Sequence, residues 1–180
     1  ALLPLPDGRM LAVSDGGRFL TFVPPGGSPD YPPRYGTLLP AYRDDKKGVD
    51  SESAARDPQT GTVWLGMEYQ NAIVRLGADW KRTGRVAPKA MAEWGRNSGP
   101  EAMARLNDGR FLVLAEGARE WLWPRTHEGV LFAGDPVEDP DAVKRFRLEG
   151  PTGFVPVDMV QIPDGRVLIL MRTLIWPVPE

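Results

Sequence analysis

Apolar and polar positions along this chain fall into short runs, and nowhere do they hold the three-and-four spacing of a helix for long. One pattern returns four times: an apolar stretch, a tight polar turn, and a second apolar stretch that ends on a charged residue. The copies read LLPLPDGRMLAVSD (2–15), SAARDPQTGTVWLGME (53–68), EAMARLNDGRFLVLAE (101–116) and DMVQIPDGRVLILMR (158–172). Their turn glycines, Gly8, Gly61, Gly109 and Gly165, are 53, 48 and 56 residues apart. An Asp-Gly turn between β-rich runs predicts a hairpin, because glycine accepts the positive φ such turns need. The second strand of each pair (MLAV, VWL, FLVL, VLIL) is almost wholly apolar, which predicts strands covered on both faces.

Further strands are predicted over 18–23, 72–76, 121–123, 130–133 and 143–148, with a turn or two of helix over 88–94. A period near 50 residues with about four short strands per unit predicts the blade of a β-propeller. An irregular β-sandwich would not space its hairpins so evenly. The expected fold class is all-β, a propeller of about three and a half four-stranded blades. Residues 1–180 are expected to form one partial domain with repeat units near 1–48, 49–97, 98–153 and 154–180. Because the fourth copy stops after its second strand, it is expected to belong to a larger ring of about six blades. Missing blades or self-association are expected to cover the open strand edge.

Composition supplies turn punctuation rather than disorder. The 20 Gly and 19 Pro stand in a chain that is still 42% hydrophobic, enough for a core. Lys and Arg number 22 against 24 Asp and Glu, a net charge of −2, which argues against a nucleic-acid or anionic-membrane partner on bulk charge. No cysteine is present, so disulfides, thiolate metal sites and a cysteine nucleophile are excluded together. No apolar run approaches the roughly 20 residues of a membrane span, and residue 1 does not open a basic-then-apolar export leader.

Hairpin symmetry then locates the acidic residues. Positions facing each other are symmetric about the turn. With unbroken pairing, Glu52 faces Glu68, Glu101 faces Glu116 and Asp158 faces Arg172, each about seven residues or roughly 23 Å from its turn. In a propeller the first strand of each blade lines the central channel, so these pairs, with Asp15, are expected at one channel mouth. Arg18 and Arg119, each ten residues past a turn glycine, are expected beside them. Like charges so crowded call for a cation, an arginine or raised pKa values. Oxygen donors without His or Cys suit a hard divalent cation, Ca2+ first and Mg2+ second. The plainer alternative is that these residues cap strand ends or pair with the arginines.

Other chemistry is thin. No Gly-x-Ser-x-Gly elbow occurs; residues 95–99 read GRNSG, with Ser98 one place off. His127, the sole histidine, stands in a polar stretch and reads as a solvated turn residue. Phosphate-loop, dinucleotide and EF-hand signatures are absent. The acidic segment 134–141 has a metal-loop composition, but its prolines predict a rigid surface turn. Trp64, Trp121, Trp123 and Trp176 are expected to pack between blades.

The runs AVSDGGRFL (12–20), VDSES (49–53), WLGMEYQNAIVRL (64–76), NSGPEAMARLNDGRFLVLAEG (97–117) and GFVPVDMVQIPDGRVLILMR (153–172) cover nearly the whole chain in order. Together they resemble the bacterial "esterase-like activity of phytase" family. The resemblance is carried by Asp50 and Glu52 in an Asp-x-Glu block, by Glu68, and by Asn97, Gly99 and Glu101 in an Asn-x-Gly-x-Glu block. Where that family reads Leu-Glu-Arg, this chain has Leu170, Met171 and Arg172, one carboxylate fewer. The resemblance implies a periplasmic or secreted propeller, in chains usually longer than this one, and hydrolysis of esters or phosphate esters.

The leading expectation is a metal-dependent phosphoester or carboxylester hydrolase acting on a small molecule. Glu52, Glu68, Glu101, Glu116 and Asp158 are its expected metal ligands. Glu101, Glu116 and Arg172 are its expected catalytic groups, and Arg119, Arg18 and Asn97 its expected substrate contacts. Two readings stand beside it: a lactonase-type propeller with one divalent cation on channel carboxylates, and a non-catalytic binding propeller with structural Ca2+.

Overall fold

The computed structural model describes residues 1–27, 31–39, 48–117 and 126–173. Among them the strands run β1 (Leu2–Pro4), β2 (Met10–Val13), β3 (Arg18–Phe22), β4 (Arg34–Thr37), β5 (Ser51–Arg56), β6 (Val63–Met67) and β7 (Ala72–Leu76). They continue as β8 (Arg82–Val86), β9 (Pro100–Arg105), β10 (Phe111–Ala115), β11 (Thr126–Phe132), β12 (Val143–Glu149), β13 (Val155–Gln161) and β14 (Val167–Arg172). β1 to β4, β5 to β8 and β9 to β12 form three antiparallel sheets in chain order, and β13 pairs with β14 alone. The first strands of successive sheets lie side by side, β1 by β5, β5 by β9 and β9 by β13. Blades thus follow one another about an axis without closing, the architecture of a partial β-propeller. No helix among the described residues is long and apolar enough to cross a membrane.

The hairpin turns come out as predicted. Asp7, Asp108 and Asp164 each accept the main-chain N–H of the arginine two residues on and pair with its guanidinium. The glycine between them takes φ of 83°, 89° and 90°, the left-handed region that glycine alone enters freely. β4 and β8 were not predicted, because RYGT and RTGRV are polar outer strands with no buried residue to create an alternation. The predicted helical turn is a short 3-10 turn over Lys89–Met91. The predicted strand over 121–123, with Trp121, Trp123 and Trp176, lies outside the described residues.

The core is laid down between sheets rather than within one. Leu11, Val13, Leu65 and Val74 join the first sheet to the second. Trp64, Ile73, Phe111 and Phe132 join the second to the third, and Ala102, Leu114 and Met159 join the third to the β13–β14 pair. β6 and β10 are sandwiched and buried almost throughout, whereas β2 and β14 alternate. Coverage on both faces therefore holds for the middle two hairpins only.

Trp64 packs between sheets, edge-on to Phe111 at 4.7 Å. Its Nε1–H donates to Asp135 at 2.9 Å, and Arg75 pairs with Asp135 at 2.7 Å and with Glu138. The acidic 134–141 segment is thus more than a surface turn: it latches the third blade to the second.

Candidate functional site

Two β-bulges set the geometry of the site. In the β5–β6 pair, Ser51 faces Met67 and Ser53 faces Gly66, so Glu52 is the extra residue of its strand. In the β9–β10 pair, Pro100 faces Ala115 and Ala102 faces Leu114, so Glu101 is the extra residue. A bulge leaves one residue without a cross-strand partner and turns its side chain off the regular pleat. The unbroken pairing expected from the sequence is corrected accordingly. Glu68 stands opposite Asp50, whose oxygen accepts its N–H at 2.9 Å, and Glu116 stands opposite Gly99.

β13 carries the same irregularity, but there the extra residue is Val157. Asp158 faces Leu170 instead of Arg172, and its carboxylate accepts the N–H of Met159 at 2.8 Å.

The bulged residues, the ends of the second strands and Asp50 just before β5 bring five carboxylates together. Asp50, Glu52 and Glu68 can each offer an oxygen within 4.8 Å of the others, and so can Glu68, Glu101 and Glu116. Glu68 belongs to both groups. Glu101 is only 6% exposed, so its charge has little water to relieve it.

Burial first, and then the charges of Glu116, Glu52 and Glu68, push the Glu101 pKa up to about 8. Burial and the neighbouring Glu52, Asp50 and Glu116 carry Glu68 to about 7. Glu52 is raised by burial, with Asp50 and Asp15 adding to it. Arg172 counters the cluster from one side: its Nη2 donates to Glu116 Oε1 at 2.6 Å.

Close main-chain approach makes this convergence possible. Ser51 Oγ donates to the Ser14 oxygen at 2.8 Å, tying β5 to the segment after β2, and Ser53 Oγ donates to the Pro100 oxygen, tying β5 to β9. At Gly99 a Cβ would lie 2.5 Å from Glu68 Cα and 2.6 Å from its oxygen. Only a residue without a side chain lets the two glutamate-bearing segments meet there. Gly99→Ala is expected to destabilise the protein by about 1–3 kcal/mol, the usual result of overpacking, and to part Glu68 from Glu101. Thermal unfolding and divalent-cation titration of the variant measure both effects.

Of the residues singled out from the sequence, Glu52, Glu68, Glu101, Glu116 and Arg172 are brought together. Asp158 stands outside both carboxylate groups. Arg18 opens β3 across from Thr37, with its N–H on Ser14 Oγ, and pairs with no described carboxylate. Asn97 is exposed in the turn closed by the Ser98 N–H on the Gly95 oxygen. Arg119 lies outside the described residues. Asp50 was not counted among the ligands, although the Asp-x-Glu block had already placed it two residues from Glu52.

His127 is not a solvated turn residue. β11 starts at Thr126, before the predicted 130, and buries the His127 ring completely.

A family model described as "Phytase-like: Esterase-like activity of phytase" matches residues 1–178. No curated protein matches the chain. Among solved structures it is similar to a streptogramin B lyase, at 10% identity and a TM-score of 0.55, over 94% of this chain and 46% of that one. It is also similar to the extracellular domain of BT4673 from B. thetaiotaomicron, at 11% identity and a TM-score of 0.54, over 94% of this chain and 20% of that one. Both are β-propeller proteins, and likeness at such identity shows the fold alone. The chain spans less than half the length of either.

Proposed function

The chain belongs to the phytase-like family described as esterase-like activity of phytase, and from that premise we propose that it contributes the cation-binding rim of a metal-dependent ester or phosphoester hydrolase. The observation that carries this reading is the convergence of Glu68 and Glu116 on the buried Glu101, with Asp50 and Glu52 gathered about the same Glu68. Five carboxylates against one arginine leave excess negative charge, which adds to burial in raising the pKa values of Glu68 and Glu101. An all-oxygen donor set with a shared central carboxylate suits a hard divalent ion, Ca2+ before Mg2+.

Asp50, Glu52, Glu68, Glu101 and Glu116 would hold the ion. When bound, it would polarise an ester oxygen and acidify a coordinated water. Arg172 is about half exposed and already engaged with Glu116, so it offers its remaining N–H groups to the anionic oxygens of a phosphoester. Glu101 and Glu116 border that same space. The substrate is read as a small ester or phosphoester, and the family resemblance supports a periplasmic or secreted setting.

The test, run on the full-length protein, is calorimetric titration with CaCl2, MgCl2 and MnCl2, joined to hydrolysis of p-nitrophenyl phosphate and p-nitrophenyl acetate with and without EDTA. Cation binding with EDTA-sensitive turnover is expected. Binding that stabilises the fold without any turnover overturns the hydrolase reading in favour of a structural cation. Absence of both binding and turnover overturns the cation site itself.

A further inference from the structure

His127 is fully buried, yet none of the chemistry above uses it. Leu114 faces Gly129 in the β10–β11 ladder, so two steps further on His127 stands directly across from Glu116. There its Nδ1 lies 3.3 Å from the main-chain oxygen of Glu116. A carbonyl oxygen only accepts, so a hydrogen bond at this contact requires the hydrogen on Nδ1. Nε2 closes no hydrogen bond among the described residues, and a Cβ on Gly150 would sit 3.6 Å from it. The N–H of Glu116 is held as well, donating to the Gly99 oxygen at 3.3 Å. Glu116 is therefore gripped on both sides where β10 leaves the sheet, and from that point its carboxylate reaches Arg172.

We propose that His127, donating from Nδ1, is a positioning residue that fixes the Glu116 carbonyl and so aims the Glu116 carboxylate at the cation cluster. The second half of this statement rests on the cluster being a cation site; the tautomer does not. Partners that orient a metal ligand typically matter by 10–100-fold in affinity.

Because His127 is the sole histidine, a long-range 1H–15N spectrum of the wild-type protein reads its tautomer without assignment. Protonation at Nδ1 is expected, and protonation at Nε2 overturns the proposal. His127→Asn keeps an N–H near the Nδ1 position, whereas His127→Leu fills the space and donates nothing. The Leu variant is expected to lose about tenfold in Ca2+ affinity while remaining as thermostable as the wild type, and the Asn variant to recover most of that affinity. A purely structural histidine gives the reverse split, with stability changed and affinity kept, and that result overturns the proposal. So does an Asn variant as weak as Leu. If the wild type binds no divalent ion, the cation reading fails on its own, and the proposal that His127 aims a cation ligand fails with it. The spectrum then still decides whether His127 holds the Glu116 carbonyl.

Discussion

Glu101→Gln is expected to weaken divalent-cation binding by at least about 100-fold, because a direct ligand should matter no less than the partners that orient one. The same change should make the metal-free protein more stable at pH 9, by on the order of 2 kcal/mol. Gln keeps the shape and hydrogen-bonding capacity of the side chain but removes a charge that burial and Glu116, Glu52 and Glu68 all oppose. The two signs together are diagnostic. A carboxylate that merely caps a strand end would lose stability on conversion to the amide and leave cation affinity untouched. Calcium titration by calorimetry and thermal melts in EDTA separate the two cases.

Stability of the metal-free protein should fall as pH rises, by on the order of 2 kcal/mol between about pH 6.5 and 8.5. Glu101 and Glu68 have folded-state pKa values of about 8 and about 7, raised from an ordinary 4.5. Below 4.5 both the folded and unfolded chains keep these protons, and the contribution is fully present. Above it the unfolded chain releases them first, so stability is lost progressively until pH passes the folded values. His127 works in the other direction, since its folded pKa is depressed from 6.5. Its contribution is present above 6.5 and lost as pH falls below it, which leaves the interval above 6.5 to the glutamates. Saturating CaCl2 should flatten or reverse the slope, because ligands must be deprotonated to bind. Denaturant melts across this pH range, with and without calcium, provide the check; a metal-free profile that rises toward pH 8.5 overturns the account of the cluster.

Much of this architecture was legible in the order of residues. Four turn glycines at near-equal intervals are a long-range regularity, and Gly8, Gly109 and Gly165 sit in turns of the same make because Asp-Gly-Arg specifies that turn locally. The gathering of Glu52, Glu68, Glu101 and Glu116 followed from hairpin symmetry and the shared axis. Symmetry could not show the bulges. An extra residue leaves no mark in composition, and a hairpin centred on Asp164 instead of Gly165 was enough to move Asp158 two places along β14, from Arg172 to Leu170.

His127 was misjudged for a different reason. Its neighbours Thr126 and Glu128 are polar, so the local pattern looked like a loop. The burial comes from β12, through the pairing of His127 with Leu148, and from Gly150 beyond it. Outer strands such as Arg34–Thr37 escaped notice because they bury little and carry no pattern.

The extra residue in β5, β9 and β13 has no partner across the ladder, and the three blades fill it with Glu52, Glu101 and Val157. Scaffold and chemistry are thereby uncoupled: whatever side chain occupies that slot points where the kink sends it, while the flanking pairs keep the hairpin in register. A lineage can add or delete an acid at the rim by one substitution without renegotiating the sheet. The rim of this fold is therefore a set of interchangeable sockets, and the charge it presents is a choice made blade by blade.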